Sequence, residues 1–156
     1  MPIQITKSNK RVVIFDIDGC CIDSEERLPH LLAGDREMYN ELHPTDKSMP
    51  AGVAVYSALL HSHDYECLFI TGRQEDAREF TEQQLIELFG PLVMATQLLM
   101  RPVGDRTHDV ELKPRLLKKA GFAPEDVLLV FEDRDSTVAM WRSLGVTVYQ
   151  TQPGDF

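Results

Sequence analysis

The sequence predicts an α/β fold built on a parallel β-sheet, and three observations support this prediction. Short apolar runs rich in β-branched residues alternate along the chain with longer segments of helical periodicity. Strands that alternate with helices in this way form right-handed βαβ units, and the strands of such units are parallel. A length of 156 residues and an apolar content of 43% are typical of one globular domain, so we expect residues 1–156 to form a single domain.

Five short segments are predicted to form the strands of the sheet. The first contains the run Val12-Val13-Ile14-Phe15, which is typical of a strand buried on both faces. The other four are also largely apolar and lie between segments of helical periodicity. In chain order, the five segments are residues 11–16, 66–71, 92–95, 127–132 and 146–150.

Four longer segments have the apolar spacing of amphipathic helices. The last two end directly before Gly121 and Gly145, and glycine commonly follows the last turn of a helix. Lys113 is expected to open the third helix, because Pro114 suits a first helical turn. The four segments are residues 51–61, 75–89, 113–120 and 135–144.

Two regions do not fit this alternation. Residues 23–49 are charged and poorly periodic, with a weak helix predicted over residues 35–41, and residues 100–111 are predicted to form a loop. Both follow predicted strands, so we expect both to lie over the carboxyl edge of the sheet. Because loops in that position commonly carry binding residues, these two are candidates for substrate recognition.

The composition excludes several classes of protein. A net charge of −9 argues against a large non-specific nucleic-acid surface, whose affinity depends on Lys and Arg. The three cysteines, two of them adjacent, fit neither a disulfide framework nor a zinc site. No apolar run reaches the roughly 18 residues of a membrane span, and no signal-peptide pattern is present, so we expect a cytoplasmic protein with no membrane partner.

The most informative motif is Asp16-Ile17-Asp18-Gly19, directly after the first predicted strand. Open α/β sheets bind ligands beyond the carboxyl ends of their strands, which is where we expect these two carboxylates to lie. A buried strand does not need two negative charges at its end, whereas a phosphate-transfer site does when a divalent cation neutralises them. The motif therefore predicts a phosphate-transfer site.

Three further groups fall at equivalent positions along the chain. Thr71-Gly72-Arg73 follows the second predicted strand and can bind phosphate oxygens through a hydroxyl, a backbone amide and a guanidinium. Lys113, after the predicted loop, can face the same phosphate. Glu132 and Asp133 end the fourth predicted strand and can complete a metal site. Because all four groups occur in this order, each at the end of a predicted strand or the start of a predicted helix, a purely structural explanation for them is improbable.

Together these residues support phosphoryl transfer. Mg²⁺ prefers oxygen ligands and binds through one or two carboxylates together with a substrate phosphate. Asp16 can act as the nucleophile and form an aspartyl-phosphate, while Asp18 protonates the leaving oxygen and later activates water. Thr71, Arg73 and Lys113 can stabilise the charge on the phosphate oxygens. We therefore expect a Mg²⁺-dependent phosphatase.

These motifs resemble, in order, the four motifs of the haloacid dehalogenase superfamily of phosphohydrolases. From Arg11 onward the chain is most similar to the 3′-phosphatase domain of phage-type polynucleotide kinase, and without a Gly-rich Walker loop we expect a free-standing phosphatase module. The resemblance implies a three-layer Rossmann-like fold with strand order 5-4-1-2-3 and no large cap domain. The similar segments outside the motifs are Pro91-Leu92-Val93-Met94, Gly104-Asp105-Arg106-Thr107, Met140-Trp141-Arg142, Leu144-Gly145-Val146 and Gly154-Asp155-Phe156.

The resemblance also implies a role for each matching residue. Asp16 corresponds to the nucleophile, Asp18 to the acid–base and Lys113 to the phosphate-facing lysine. The implied catalytic residues are Asp16, Asp18, Arg27, Thr71, Arg73, Asp109 and Lys113, and the implied substrate-binding residues are Arg27, Thr71, Gly72, Arg73 and Lys113.

Mg²⁺ is the implied cofactor, and two residues depart from the family pattern near it. Cys20 stands where the family has threonine, and Glu132 stands where it has aspartate. Because glutamate is one methylene longer, we expect it either to shift the metal or to leave Asp133 as the main ligand. The implied ligands are Asp16, Asp18 through its backbone carbonyl, Glu132 and Asp133.

The sequence leaves the substrate open. The resemblance favours a 3′-phosphorylated DNA or RNA end, whereas the net charge favours a smaller substrate, so a 5′- or 3′-nucleotidase is an alternative. A phosphoryl-accepting receiver and an inactive binding module are the alternatives outside the hydrolases. Asp18, Arg27 and Arg73 argue against a receiver, and the retention of all four motifs argues against an inactive module.

Overall fold

A computed structural model describes Ile3 and residues 9–156, and its centre is a five-stranded parallel sheet. The strands run in the order β5-β4-β1-β6-β7, and every neighbouring pair is parallel. A separate antiparallel pair joins β2 and β3. The strands are β1 (Val12–Phe15), β2 (Ile22–Asp23), β3 (Lys47–Ser48), β4 (Glu66–Gln74), β5 (Gln97–Arg101), β6 (Val127–Glu132) and β7 (Val148–Gln150).

The predicted α/β class and strand order are confirmed. If the five strands of this sheet are numbered 1 to 5 in chain order, they lie in the order 3-2-1-4-5. Read from the opposite edge of the sheet, this is the predicted order 5-4-1-2-3. The third strand, however, was predicted too early, at residues 92–95. That segment lies in a 3-10 helix, Pro91–Ala95, and the strand β5 follows it. Pro91 explains the difference, because its fixed φ starts a helical turn and it has no N–H to donate to a sheet.

The helices of the structure confirm the predicted alternation with shifted ends. The third predicted helix begins at Asp109 rather than Lys113, so Pro114 lies inside it and the loop before it ends at His108. The His108 ring caps this helix by accepting a hydrogen bond from the backbone of Val110 at 3.3 Å. The helices are α1 (Leu28–Leu32), α2 (Arg36–Glu41), α3 (Pro50–Leu60), α4 (Arg78–Phe89), α5 (Asp109–Lys119) and α6 (Asp135–Ser143).

Helices cover both faces of the sheet, which gives the predicted three layers. On one face Tyr56 of α3 packs on Phe15, with ring centroids 4.2 Å apart. On the other face Trp141 of α6 and Leu112 of α5 are fully buried in a second apolar cluster. The central strand β1 is therefore buried on both sides, and its carboxyl end is held in a fixed position. In the part of the chain that the structure describes, no helix has the length and apolarity needed to span a bilayer.

Residues 23–49, here called the cap segment, form a small unit rather than a large cap domain. The segment contains α1, α2 and the short strand β3, which pairs with β2 at its beginning. Asp35 caps α2 by accepting a hydrogen bond from the backbone of Met38. His43 joins the segment to the main fold, since its ring meets the Phe80 ring of α4 edge-on at 5.0 Å. Residues of the cap segment line a cleft together with Asp16 and Thr71, so the segment lies over the carboxyl edge of the sheet, as predicted.

Candidate active site

Asp16 lies at the carboxyl end of β1, beside a buried lysine. The Lys113 ammonium lies 3.1 Å from the Asp16 carboxylate and donates a hydrogen bond of 2.6 Å to Glu132. Tyr56 donates a hydrogen bond to the Asp16 carbonyl, and the Asp16 N–H donates to Phe131 of β6. These backbone contacts keep Asp16 at the junction of β1 and β6 after regular pairing has ended.

The charged side chains around Asp16 shift one another's pKa values. Burial and the neighbouring Glu132 charge raise the pKa of Asp16 well above its usual range, and the Lys113 charge only partly opposes them. Burial alone would lower the pKa of Lys113, but the Asp16 and Glu132 carboxylates hold it above its ordinary value. The two carboxylates thus favour the charged form of Lys113, and added positive charge near Asp16 would lower the pKa of that carboxyl.

Asp133 brings a further carboxylate to Asp16. Ligand atoms of Asp16, Cys20 and Asp133 all lie within 4.8 Å of one another. Burial and the Asp16 charge raise the pKa of Asp133 to about 7. Two buried carboxylates with raised pKa values are a site of uncompensated negative charge, and their hard oxygens suit Mg²⁺. The donor set therefore fits the predicted cation. We call Asp16, Lys113, Glu132 and Asp133 the nucleophile cluster.

The Glu132 carboxylate is not a member of this group of ligand atoms. Its oxygens accept hydrogen bonds from Lys113 and from the backbone N–H of Asp133, so in this structure it serves as the partner of Lys113. The extra methylene of glutamate carries the carboxylate to the ammonium. Glu132 as a metal ligand stays a prediction, and Asp133 is the carboxylate of the pair that belongs to the ligand-atom group with Asp16.

Gly19 makes the close approach of Asp133 possible. Its φ of +77° is unfavourable for other residues, and a Cβ on it would lie 2.0 Å from an Asp133 carboxylate oxygen. Any side chain there would displace Asp133. Glycine in the first motif is thus required both for the turn after β1 and for the acidic pair.

Asp18 faces a different set of partners, although it is only two residues from Asp16. Arg73 donates to its two oxygens at 2.9 and 2.7 Å, and Arg27 donates to one of them at 3.0 Å. Burial alone would raise the pKa of Asp18, but the charges of Arg73 and Arg27 and the hydrogen bonds from Arg73 lower it below its usual range. The structure therefore brings Arg27 and Arg73, both predicted site residues, onto the predicted acid–base.

Asp46 is a residue of this site that the sequence interpretation missed. Its carboxylate lies 2.7 Å from Arg27 and 3.4 Å from Arg73, and its side chain is 2% exposed. No motif marks it, because it lies in the poorly periodic cap segment, 19 residues from Arg27 and 27 from Arg73. We call Asp18, Arg27, Asp46 and Arg73 the arginine cluster.

Asp109 is oriented by two arginines. Its carboxylate accepts a hydrogen bond of 2.5 Å from the buried Arg101 and one of 3.4 Å from Arg134. Arg101 also donates to the Gly72 carbonyl at 2.9 Å, which ties β5 to the end of β4. A Cβ on Gly72 would lie 2.9 Å from an Asp109 oxygen, so Gly72 leaves room for Asp109. Arg101 is buried and paired with Asp109, so it holds Asp109 in position.

Except for the fully buried Arg27, the predicted site residues line one cleft with a volume of about 360 Å³. Thr71 is buried at its edge, and its hydroxyl accepts a hydrogen bond from the Arg73 backbone at 3.2 Å. The cap segment, the loop before α5 and the end of the chain form the outer walls. Lining side chains outside the four motifs include Leu28, Leu31, Leu32, Arg36, Arg106, His108, Arg134 and Phe156.

One family model matches the chain. Residues 10–156 match the model described as the polynucleotide kinase PNKP phosphatase domain. The match covers all four motifs and nearly the whole chain, which agrees with the resemblance drawn from the residues alone.

Solved structures share the fold. The structure of a Pnkp1/Rnl/Hen1 complex is 24% identical, with a TM-score of 0.75, over 96% of this chain and 49% of that chain. A haloacid dehalogenase-like hydrolase from Streptococcus pneumoniae is 12% identical, with a TM-score of 0.63, over 91% of this chain and 84% of that one. A HAD-superfamily hydrolase from Geobacter sulfurreducens is 16% identical, with a TM-score of 0.57, over 98% and 95%. The chain thus spans about half the length of the first of these proteins.

Proposed function

The chain belongs to the PNKP phosphatase-domain family, a group of HAD-type phosphatases, and from this we propose that it is a Mg²⁺-dependent phosphatase of 3′-phosphorylated nucleic-acid ends. The observation that carries the proposal is the contact of Asp16 with Lys113 and Asp133 at the end of β1. A nucleophilic carboxylate, a buried cation and a second carboxylate at one strand end are what hydrolysis of a phosphate monoester requires.

In the first step an Asp16 carboxylate oxygen attacks the phosphorus. The bond between phosphorus and the ester oxygen breaks and the ester oxygen takes its electron pair. Asp18 supplies the proton, which it must first take up from solvent because Arg27 and Arg73 favour its ionised form. Lys113 offsets the negative charge on the phosphate oxygens, and the Thr71 hydroxyl lines the same cleft. The product alcohol leaves, and the phosphoryl group stays on Asp16.

In the second step a water attacks the phosphorus of the aspartyl-phosphate. Asp18 takes the water proton, the bond between phosphorus and the Asp16 oxygen breaks, and inorganic phosphate is released. When bound by Asp16, Asp133 and the Asp18 carbonyl, Mg²⁺ supplies positive charge that ionises the carboxylates and offsets the phosphate charge. The raised pKa values of Asp16 and Asp133 support this requirement for a cation.

Two features support a nucleic-acid end as the substrate. The matched family is named for polynucleotide kinase, and one structural neighbour is the Pnkp1/Rnl/Hen1 RNA repair complex. The outer wall of the cleft combines arginines at 36, 106 and 134 with apolar side chains of α1. Arginines suit backbone phosphates, and an apolar wall suits a base, so the cleft offers contacts to more than the terminal phosphate.

A mononucleotide is the second candidate substrate. The net charge of −9 weakens binding to long polyanions, which leaves a small phosphate ester as the alternative. The two candidates differ in whether groups beyond one nucleotide add to binding.

Phosphate release from a matched panel tests the proposal. The panel contains 3′- and 5′-phosphorylated oligonucleotides and 3′- and 5′-mononucleotides with Mg²⁺, and Asp16→Asn protein serves as the control for contaminating phosphatases. We expect kcat/KM for the 3′-phosphorylated oligonucleotide to exceed that for the 3′-mononucleotide by about tenfold or more, which corresponds to ~1.4 kcal/mol. Equal or greater activity on mononucleotides would make the chain a nucleotidase, and no hydrolysis of any member would overturn the phosphatase proposal.

A further inference from the structure

We propose that Thr151 is a positioning residue for the cation site, because it holds Gly19 against Asp133. This role rests on the proposed function, in which Asp16 and Asp133 bind Mg²⁺. Thr151 directly follows β7, and no motif marks it. Cation binding then depends on the last strand of the sheet as well as on β1 and β6, which the two carboxylates follow.

Thr151 joins the turn after β1 to the end of β6. Its hydroxyl donates a hydrogen bond of 2.8 Å to the Gly19 carbonyl, and its backbone N–H donates one of 3.0 Å to the Glu132 carbonyl. Gly19 belongs to the motif that carries Asp16, whereas Glu132 directly precedes Asp133. One residue therefore ties together the two segments from which the cation ligands come.

The preceding residue, Gln150, holds the backbone of Asp133. Gln150 ends β7, where it is in register with Glu132 of β6. Its side-chain amide donates to the Asp133 carbonyl at 2.9 Å and to the Asp135 carboxylate at 2.6 Å. Gln150 thus fixes the backbone of Asp133, and Thr151 fixes the turn that the Asp133 carboxylate meets.

The Gly19 turn lies directly against the Asp133 carboxylate. A Cβ on Gly19 would lie 2.0 Å from an Asp133 oxygen, so no free space separates the two. The salt bridges of Lys113 and Arg134 go to other carboxylates. Packing against Gly19 therefore sets the position of the Asp133 carboxylate.

Mg²⁺ binding is sensitive to that position. The ion requires near-ideal octahedral geometry with ligand distances of about 2.0–2.1 Å, so a small shift of one carboxylate weakens binding. Ligand atoms of Asp16 and Asp133 lie within 4.8 Å of each other. Without the Thr151 hydroxyl, the Gly19 carbonyl loses its hydrogen bond to that side chain. The turn then gains freedom to move, and the separation of the two carboxylates is no longer fixed.

Cys20 contacts the same hydroxyl. Its Sγ lies 3.2 Å from Thr151 Oγ1. The single hydroxyl proton is engaged with the Gly19 carbonyl, so the thiol is the donor in this contact. A thiol is a weak donor, and Cys20 stands where the family has threonine. The strong hydrogen bond from a side-chain hydroxyl to this turn therefore comes from position 151.

Mg²⁺ affinity separates a positioning role from a merely structural one. A structural role lowers the melting temperature with and without Mg²⁺ but leaves the affinity for the ion unchanged. A positioning role lowers the affinity itself. The dependence of the melting temperature on Mg²⁺ concentration gives an apparent Kd without reference to activity.

We would measure this Kd for the wild type, Thr151→Val, Thr151→Ser and the control Thr147→Val. Valine has nearly the shape of threonine but no hydroxyl, whereas serine keeps the hydroxyl. Thr147 is an exposed threonine directly before the opposite end of β7. Loss of a group that holds a metal ligand weakens metal affinity by about 10- to 100-fold, and for Thr151→Val we expect about tenfold. Thr151→Ser and Thr147→Val should match the wild type.

Hydrolysis of p-nitrophenyl phosphate gives a second readout. In Thr151→Val the Mg²⁺ concentration for half-maximal activity should rise by the same factor as the Kd. At saturating Mg²⁺ its kcat should match that of the wild type, because Asp16 and Asp18 are unchanged. A lower kcat at saturating Mg²⁺ with an unchanged Kd overturns the inference.

The outcomes separate this inference from the proposed function. A wild type that does not hydrolyse the ester contradicts the proposed function, whereas the Kd values still decide the inference. An unchanged Kd in Thr151→Val, or equal weakening in Thr151→Val and Thr151→Ser, overturns the inference alone. A wild-type melting temperature that does not respond to Mg²⁺ also overturns it. If circular dichroism shows that Thr151→Val is unfolded, Thr151→Ala takes its place, because it also removes the hydroxyl, and the same comparison with Thr151→Ser applies.

Discussion

The nucleophile cluster and the arginine cluster are built around carboxylates only two residues apart, yet their electrostatics are opposite. In the first, Asp16 shares a single ammonium with Glu132 and lies beside Asp133, so its pKa is raised. In the second, Asp18 is paired with two guanidinium groups and its pKa is lowered. Pairs of acids whose surroundings shift their pKa values apart commonly have different catalytic roles.

This difference in charge indicates which of the two clusters requires a cation. The nucleophile cluster has an excess of negative charge, which a divalent cation would neutralise. The arginine cluster is already neutral, because Asp46 compensates the second guanidinium. A cation is therefore expected to bind on the Asp16 side only, where Asp133 completes the group.

The largest effect that separates the clusters is expected from Asp16→Asn. An amide is a poor nucleophile, so turnover should fall by roughly 10⁴-fold or more, while folding is retained. Phosphate release from p-nitrophenyl phosphate measures the loss. Glu125→Gln is the matched control, because Glu125 is exposed and lies before β6, away from the carboxyl edge. Activity of Asp16→Asn close to that of the wild type would remove Asp16 from the mechanism.

Lys113→Met should reduce stability as well as activity. The substitution leaves Asp16 and Glu132 buried without their cation, which costs about 3–5 kcal/mol of unfolding free energy. Urea unfolding without metal measures the change, and Lys118→Met is the control because Lys118 is exposed on the same helix. Adding Glu132→Gln to Lys113→Met should restore part of the loss. If the loss of unfolding free energy in the double variant equals the sum of the two single losses, Lys113 and Glu132 do not stabilise each other.

Mg²⁺ binding to the nucleophile cluster should depend on pH. Because the pKa of Asp133 is raised to about 7, protons compete with the cation below that pH. The affinity should therefore fall as the pH decreases from 8 to 6, by up to about tenfold per pH unit for one displaced proton. The rise in melting temperature on adding Mg²⁺ measures binding without reference to activity. An increase in melting temperature that is the same at every pH, or the same in Asp133→Asn as in the wild type, would show that the cation does not bind at the nucleophile cluster.

The smallest effect concerns His43, beside the arginine cluster. Burial and the charges of Arg73 and Arg27 lower its pKa to about 3. Between about pH 6.5 and pH 3 the unfolded chain binds a proton that the folded chain does not, so stability from this residue is lost as the pH falls. His43 should lower the unfolding free energy by up to roughly 2 kcal/mol between pH 7 and pH 5, at about 1.36 kcal/mol for each pH unit below about 6.5. The His43→Phe variant should lack this contribution.

Urea unfolding at the two pH values measures this change. The control is His63→Gln, since His63 is exposed and its loss should leave the pH dependence unchanged. A change in stability between pH 7 and pH 5 that is the same in His43→Phe as in the wild type would show that His43 does not contribute to it.

The segments with strong local patterns were predictable from the sequence. The run Val12-Val13-Ile14-Phe15 has to be buried, and the two aspartates after it have to lie where a parallel strand ends. The same reasoning predicted that Thr71, Lys113 and Asp133 lie at the same edge, although Thr71 lies within β4 and Lys113 within α5 rather than at the predicted ends of these elements.

Tertiary structure decided the partners of these residues. Glu132 binds Lys113 across 19 residues, Asp46 binds Arg73 across 27, and neither distance corresponds to a local period. The position of β5 likewise depended on where the chain after Pro91 pairs with β4, and not on apolar content alone. Local sequence thus determined which residues reach the carboxyl edge, because periodicity and chain direction act over a few residues. Only the folded chain determined which charges neutralise one another there, because burial makes that choice among residues distant in sequence.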